Sequence, residues 1–355
     1  MRPTRVPVNI SPEPGSIIGF RKARIAAGEE PGKLYPIYQI AGAASTDIID
    51  NWIPIEWDSE VITRVLAESA VERYGRPHTM TSATKRVLRS GGLTVSVGTT
   101  YTPDASANDY ITLTARRFIS QFVVDEDDLA DADSVVDTLR VKGMDWAISY
   151  ADTFDNACLA VSAAENGTTV PFTSVYKALR TTNSATSYTA DDNYLTWDDD
   201  NVSYSASSAG ASLYEKLSAT MKKVETGKYW SQADQLVIAA PGWRDAFRNT
   251  LDSQGRPIFL ETGAGTPDTL FNVPVAWSRG CKVSATALGS PGGNDLLIFG
   301  NRQFLKRGDR SAPETLTDQA RAQDSTDDLA VKFRTRKGFG VGHEKALAIL
   351  ERITD

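Results

Sequence analysis

Apolar residues recur at helical spacing in three stretches of the chain. The first stretch covers residues 59–74 and is ended by Gly75. The second begins at the capping pair Asp133-Ser134 and continues to about residue 164, which at ~1.5 Å per residue would span roughly 45 Å. The third covers residues 213–228. This spacing predicts three amphipathic helices, of which the second is the longest element of the chain.

A long hairpin is predicted between the first two helices. Residues 85–97 and 110–124 have the composition and alternation of strands. The residues that connect them, 98–108, are small, polar and rich in turn formers. Such a hairpin has a tip with little to bury inside one subunit.

The rest of the chain alternates strands with short helices. Residues 165–210 are rich in Ser, Thr, Asn and Asp, so we expect surface loops with short strands there. A helix is expected at about 243–251, after Pro241. Two apolar segments near the end could return to the first part of the chain, and the order of elements predicts an α+β fold. Strands are expected at 235–240, 270–277 and 296–300, and the two late apolar segments are 329–336 and 345–352.

Residues 1–58 combine many prolines with many apolar side chains. Seven of the 16 prolines lie here, and proline removes a hydrogen-bond donor and restricts its predecessor to extended conformations. The stretch also contains Trp52 and Trp57, and as a whole it is too apolar for a disordered tail. We expect an extended arm that buries these groups against another surface.

Composition restricts the class of function. The chain has 355 residues, 41% of them hydrophobic, which suffices for a substantial core in one or two domains. The 38 Lys and Arg against 45 Asp and Glu give a net charge of −7, so the global basic footprint of a nucleic-acid binder is missing. No apolar run approaches the ~20 residues that cross a bilayer, and residues 1–15 lack the apolar stretch of a signal peptide. We expect a soluble product without a membrane partner.

Candidate catalytic and metal-binding residues are few. His78 and His343 are the two histidines, and His343-Glu344 lacks the second histidine of a zinc-protease helix. Cys158 and Cys281 are far apart and outside any CxxC pattern, which favours two buried thiols. We therefore expect no catalytic residue, no cofactor and no metal site.

Two patterns have both a chemical and a structural interpretation. The glycines of residues 338–342 lack a complete P-loop or GxGxxG pattern, so glycines that permit close backbone approach in a strand are the better interpretation. The acidic run 198–200, near Asp191 and Asp192, could ligate calcium, yet its spacing does not match an EF-hand. A solvated acidic face is the simpler hypothesis there, and a bound ion is left open.

The order of elements also favours assembly. An apolar arm and a hairpin with an unburied tip stay ordered when neighbouring subunits cover them. With this order of elements, the chain resembles the HK97-fold major capsid proteins of tailed bacteriophages over about residues 85–350, more loosely between 165 and 212. The resemblance is carried by the loop tip from Val97-Gly98 to Asp104, by Ile-Thr-Leu-Thr-Ala-Arg-Arg-Phe at 111–118, Asp-Gln-Leu-Val-Ile-Ala-Ala-Pro-Gly-Trp at 234–243, Asp-Ser-Gln-Gly-Arg-Pro-Ile-Phe at 252–259, Thr-Leu-Phe-Asn-Val-Pro-Val at 269–275 and Ile-Phe-Gly at 298–300 followed by Phe304.

The resemblance implies an α+β, HK97-like capsid fold with defined parts and interfaces. The parts are an N-terminal arm (1–58), an extended loop (88–113), a peripheral or P domain (59–87, 114–232 and 310–355) and an axial or A domain (233–309). The residues expected at subunit interfaces lie in the arm and at the loop tip, and they are Trp52, Trp57, Gly98, Tyr101, Thr102, Pro103 and Asp104.

The resemblance further implies assembly in the host bacterial cytoplasm, as hexamers and pentamers, into an icosahedral virion shell that encloses double-stranded DNA by non-specific contact. Residues 1–58 are too few and too apolar for a scaffolding region, so a separate scaffolding protein is implied, with a portal and a possible cement or decoration protein. Some family members cross-link through a loop lysine, and Thr102 takes that position here, so no covalent cross-linking is expected. The alternatives are an encapsulin-like compartment and, more remotely, a soluble α+β enzyme.

Overall fold

The computed structural model describes residues 68–93, 95, 97–99, 108–125, 138–198, 213–250, 269–318 and 328–353. Within these residues helices and strands are mixed, as the α+β prediction requires. The helices are α1 (Ala70–Tyr74), α2 (Thr138–Leu159), α3 (Val175–Leu179), α4 (Leu213–Glu225) and α5 (Trp243–Asn249). The strands are β1 (Arg76–Thr79), β2 (Thr84–Arg89), β3 (Asp109–Thr114), β4 (Arg116–Asp125), β5 (Tyr194–Asp198), β6 (Gln235–Ala239), β7 (Thr269–Leu270), β8 (Val273–Trp277), β9 (Asp295–Asn301), β10 (Leu305–Asp318), β11 (Asp328–Val341) and β12 (Leu347–Ile353).

A four-stranded sheet in the order β1-β10-β11-β4 is built around the two 14-residue strands β10 and β11. β1 runs parallel to β10, and the other two pairs are antiparallel. One face of the sheet packs on α2, where the rings of Phe333 and Trp146 stack with centroids 5.4 Å apart. Because side chains alternate along a strand, Arg334 and Arg336 lie on the opposite face.

Helix α2 is the longest helix of the described residues, with 22 residues and a length of about 33 Å. The prediction that it continues to residue 164 was wrong. It ends at Leu159 because the chain then turns into sheet-like pairing, with a bridge between Val161 and Ser284 and a 2.9 Å hydrogen bond from Ser162 N to Ser284 O. The predicted capping pair 133–134 lies outside the described residues.

A six-stranded sheet, β5-β12-β9-β6-β8-β7, forms the second layer of strands. All five residues of β6 are buried, and α4 packs against β12, β5 and β9. β12 pairs antiparallel with β9 and parallel with β5. The sheet therefore joins strands on both sides of the boundary predicted between residues 309 and 310, and it also includes β5, which lies before the boundary predicted at residue 233.

Two predicted elements are divided in the structure. Of the helix predicted over 59–74, the described part begins at Ala70, because Ser69 is extended (φ −66°, ψ 125°) and its side chain caps the helix. The strand predicted over 110–124 is two strands, since β3 pairs with β2 whereas β4 pairs with β11. The division falls at Ala115, whose N–H donates to Ala83 O (2.8 Å).

Two further predictions need correction. The strand predicted over 270–277 is a tight hairpin, β7 and β8, with Phe271 and Asn272 at φ 50° and 65°. Positive φ at both central positions is the geometry of a two-residue hairpin turn. The segment predicted as surface loops, 165–210, includes helix α3, whose Val175 and Leu179 are fully buried.

A buried carboxylate joins α1 and α2 to the loop before β9. Asp155 of α2 lies between the start of α1 and Ser278, and it accepts four hydrogen bonds. The donors are Ser69 Oγ (2.5 Å), Ala70 N (2.8 Å), Val71 N (3.1 Å) and Ser278 Oγ (2.6 Å). Burial raises the pKa of Asp155 to about 6, while the hydrogen bonds act in the opposite direction.

The next residue, Asn156, binds the same loop with both ends of its amide. The nitrogen donates to the carbonyls of Gly280 (3.0 Å) and Lys282 (2.8 Å), and the oxygen accepts from Ser284 Oγ (2.8 Å) and Leu288 N (3.0 Å). All its hydrogen-bonding capacity is used, as a fully buried amide requires. The two adjacent polar residues therefore fix the loop on the long helix.

Candidate subunit interface

The hairpin of β2 and β3 carries a row of aliphatic side chains that the subunit itself leaves uncovered. The strands are antiparallel, and Arg89 opposite Asp109 is the last pair before the tip. Several exposed aliphatic side chains close together in the sequence favour an interaction site, whereas single exposed apolar residues are ordinary. The exposed fractions are 85% for Leu88, 79% for Leu93, 87% for Val95 and 104% for Val97.

Arg89 fixes the hairpin where its two strands stop pairing. Its guanidinium donates to Asp109 Oδ2 across the hairpin (2.5 Å) and to Gly342 O (3.3 Å), and it lies 3.8 Å from Glu344 Oε2. The hydrogen bond from Arg89 holds the pKa of Asp109 below its ordinary value. The contacts with Gly342 and Glu344 connect the hairpin to the turn between β11 and β12.

Glycines of β10 and β11 provide a flat surface for the root of the hairpin, which is the end that contains Leu113 and Thr114 and lies beside Met80. A Cβ on Gly308 would lie 2.4 Å from Met80 Sδ, and one on Gly340 would lie 2.9 Å from Leu113 Cδ2. One on Gly338 would lie 3.3 Å from both Met80 Sδ and the backbone oxygen of β3 at position 114. Met80 and Leu113 are buried by this approach. The interpretation of the 338–342 glycines as sites of close backbone approach is confirmed.

The predicted interface residues fall mostly outside the described part of the chain. Trp52, Trp57, Tyr101, Thr102, Pro103 and Asp104 lie there, so their assignment stays a prediction. Gly98 is described, and a Cβ at this position would meet nothing within 4 Å. The role of Arg89 could not be predicted, because a single arginine before Ser-Gly-Gly gives no sign of its partners in the turn near residue 343.

A groove of about 350 Å³ opens between α2 and the four-stranded sheet. Phe122 stacks on Phe333 (6.0 Å) and Trp146 on Tyr150 (5.3 Å), so its walls are largely aromatic. Lys142 and Asp145 add charged groups to the lining. The volume is at the lower end of the ~300–1,000 Å³ of small-molecule sites.

His343 and the two cysteines are buried in the interior of the subunit. His343 is buried, its Nε2 lies 2.8 Å from Tyr229 Oη, and its Nδ1 accepts from Lys345 N (3.2 Å). Burial lowers the pKa of His343 to about 4, which keeps the ring neutral. Cys158 and Cys281 are fully buried free thiols whose pKa is raised by burial. This confirms the prediction of two buried thiols.

A metal site and a membrane-spanning helix are both absent from the described residues. No group of three His, Cys, Asp or Glu side chains among them is placed to hold a metal ion. Asp198 is described, but the other two residues of the acidic run 198–200 are not. None of the helices in the described part of the chain is long and apolar enough to span a membrane.

Comparison with known structures shows the fold. Similar solved structures include a protein of Mycobacterium phage Bobi (15% identity, TM-score 0.61, 87% of this chain and 98% of that chain). Another belongs to Microbacterium phage Oxtober96 (16%, 0.61, 86% and 98%). A third is the capsid of a native GTA particle (17%, 0.61, 88% and 100%). The expected HK97-like capsid fold is confirmed. A comparison with curated proteins finds no match.

A family model decides the membership of the chain. The model of the phage capsid family matches residues 50–351, which is most of the sequence. This match favours a virion capsid over an encapsulin-like compartment and over a soluble enzyme. The chain therefore belongs to the phage capsid family, and it is a major capsid protein that assembles with copies of itself into a shell and has no enzymatic role.

Proposed function

We propose that this subunit is joined to its neighbours by noncovalent contacts of the hairpin, whose aliphatic row lies on an adjacent copy. The observation that carries the proposal is the contrast within one element. The root is held by Arg89 and by the glycine surface, whereas Leu93, Val95 and Val97 are at least 79% exposed. A lone two-stranded hairpin is marginal in water, so its distal part gains from a covering surface.

The size of the expected gain supports this role. Full burial of one aliphatic side chain gives about 1.5–3 kcal/mol, so the row can contribute several kcal/mol for each subunit before ordering costs are subtracted. A shell repeats the contact many times, which makes a modest pairwise energy sufficient for assembly.

The finer assembly follows the resemblance to HK97-fold capsids. The supporting feature is the apolar arm with Trp52 and Trp57. The subunits form hexamers and pentamers in the host bacterial cytoplasm and close an icosahedral shell with a portal, a separate scaffolding protein and a possible cement protein. The P domain comprises residues 59–87, 114–232 and 310–355, the A domain comprises residues 233–309, and the arm lies on neighbouring copies.

The enclosed nucleic acid is double-stranded DNA held by confinement. A net charge of −7 gives the subunit no overall attraction for phosphate. Isolated subunits should therefore bind DNA weakly at low salt and lose that binding at physiological salt. Tight, sequence-specific binding at physiological salt would contradict this part of the proposal.

The hairpin contact is tested by making its aliphatic row polar. We expect the triple variant Leu93→Ser, Val95→Ser and Val97→Ser to remain a folded subunit and to form no regular shells in electron micrographs. The matched control is Leu288→Ser, which removes a 43% exposed leucine outside the hairpin. Normal shells from the triple variant would refute the hairpin contact, and loss of shells from the control would show that any exposed leucine matters.

A further inference from the structure

Two arginines face each other on the face of the four-stranded sheet that is turned away from α2. Arg117 of β4 is the register partner of Arg336 of β11. The neighbouring Phe118 contacts Tyr150 of α2, so alternation places both arginines on the opposite face. Like charges directly opposite in a strand pair are destabilising. Within the part of the chain that the structure describes, neither guanidinium has an ion-pair partner.

A second pair of like charges lies next to the arginines, on the covered face of the sheet, and its members are bound by carboxylates. Arg116 and Lys337 are also register partners, one residue along, on the face that packs on α2. Arg116 binds Glu165 (2.9 Å), and Lys337 binds both Glu72 (3.0 Å) and Asp309 (2.9 Å). The subunit supplies carboxylates to the covered pair. It supplies none from its described residues to Arg117 and Arg336.

Aliphatic side chains extend this surface. Along β4 on the same face as Arg117, Ile119 is 73% exposed and Val123 is 53% exposed. The surface therefore combines guanidinium groups that lack anions with aliphatic groups that lack cover.

We propose that this arginine face, defined by Arg117, Ile119, Val123 and Arg336, docks on a second copy of the chain and binds its carboxylates. Arginine beside exposed apolar side chains is the composition of the central part of protein interfaces. A planar guanidinium binds a carboxylate through two parallel hydrogen bonds. A second copy is present in every shell and carries a net charge of −7, so it provides the anions. The contact is separate from that of the hairpin.

Nucleic acid is the other polyanion in reach, and the aliphatic residues argue against it. A surface that tracks phosphates gains from basic and polar groups, whereas Ile119 and Val123 would stay in water beside a phosphate backbone. Their burial requires an apolar partner surface. This makes the second copy the better occupant.

The test is the double variant Arg117→Gln and Arg336→Gln, with Arg334→Gln as matched control. Arg334 lies on the same face but is already paired with Glu314 (2.8 Å). We expect the double variant to reduce the yield of shells at least tenfold and the control to assemble as the wild type. The melting temperature of the unassembled double variant should be unchanged or higher, because a like-charge pair is removed. Normal assembly, or a lower melting temperature of the free subunit, would overturn the proposal.

A photo-cross-linking residue at Gln121, which is exposed on this face between Ile119 and Val123, identifies the occupant directly. Irradiated shells should yield a product of two chains, twice 38.5 kDa. Adducts that a nuclease removes would show that nucleic acid occupies the face. Those adducts, or the absence of any product, would refute docking of a second copy.

Discussion

The hydroxyl of Ser278 donates a 2.6 Å hydrogen bond to the carboxylate of Asp155, although the two residues are 123 positions apart. The same carboxylate accepts from the first residues of α1. One fully buried group therefore holds the long helix, the short helix before the hairpin and the loop before β9. Because each donor loses its water in this position, removal of the acceptor leaves several buried donors unsatisfied.

We predict that Asp155→Asn lowers the free energy of unfolding of the unassembled subunit by about 2–4 kcal/mol. Asparagine keeps the size, but its NH₂ group would face donors that now meet an oxygen. Urea unfolding measures the change. Asp192→Asn is the control, since Asp192 is an exposed partner of Lys223 at 3.8 Å, and its effect should stay within about 0.5 kcal/mol. Equal effects of the two substitutions would contradict the role of Asp155.

The raised pKa of Asp155 gives that residue a definite pH dependence. Its ordinary pKa is 3.8, and burial raises it to about 6 in the folded subunit. The folded state then binds the proton more tightly, so this contribution to stability is complete below pH 3.8 and is lost as pH rises through about 6. The difference in unfolding free energy between the wild type and Asp155→Asn should fall between about pH 4 and pH 6 and be constant above. A constant difference across this range would refute the prediction.

The contribution of His343 to stability should change with pH in the opposite direction to that of Asp155. Burial lowers its pKa from 6.5 to about 4. The contribution of the neutral ring is complete above pH 6.5 and is lost as pH falls through 6.5 towards 4. Compared with His343→Gln, the wild type should therefore lose stability on acidification in thermal melts at several pH values. An identical pH profile for the two proteins would show that His343 does not titrate in this way.

Local patterns explain which parts of the structure could be predicted from the sequence. The glycines of 338–342 act locally, so close backbone approach along β11 could be predicted, and the pairing of β2 with β3 agrees with part of the predicted hairpin. The contact between that hairpin and β11 was not predicted. The end of α2 was not predictable, because Val161 leaves helical geometry to pair with Ser284, far along the chain. The turn at Phe271-Asn272 was missed because neither residue is a glycine.

The candidate interface formed by the two arginines likewise could not be predicted from local sequence patterns. Arg117 and Arg336 become neighbours through the register of β4 and β11, which no local pattern encodes. The place of β12 beside both β9 and β5 likewise depends on long-range pairing. The exposed hairpin could be expected from the sequence, because the residues of its tip are small and polar and therefore have little to bury inside one subunit.

The root of the hairpin should be sensitive to bulk at Gly338. The side chain of Gly338→Val would press on the β3 backbone, which already lies 3.3 Å from the position of a Cβ. We expect shells to be lost or malformed while circular dichroism of the subunit is nearly unchanged. Gly292→Ala is the control, since a Cβ there meets nothing within 4 Å, and it should assemble normally. Normal shells from Gly338→Val would show that the position of the root is unimportant for assembly.

The mature shell should contain no covalent cross-links through the extended loop. Such a bond, as the resemblance implies for some relatives, needs an amine at the loop tip and a carboxylate that takes its proton. Thr102 takes the position of the lysine, and a threonine hydroxyl cannot form the bond. The sequence has no lysine between Lys85 and Lys142, and Lys85 is held at the hairpin root, where its amine donates to Thr79 O (2.7 Å).

A small shift in alignment therefore cannot restore the reaction, and the strength of the shell must come from noncovalent contacts of the kind proposed for the hairpin, the arm and the arginine face. Mature particles boiled in detergent should give a single band near 38.5 kDa on a denaturing gel. A ladder of larger bands that survives reducing agent would contradict this, because the two cysteines are buried and disulfides would be removed by the reductant.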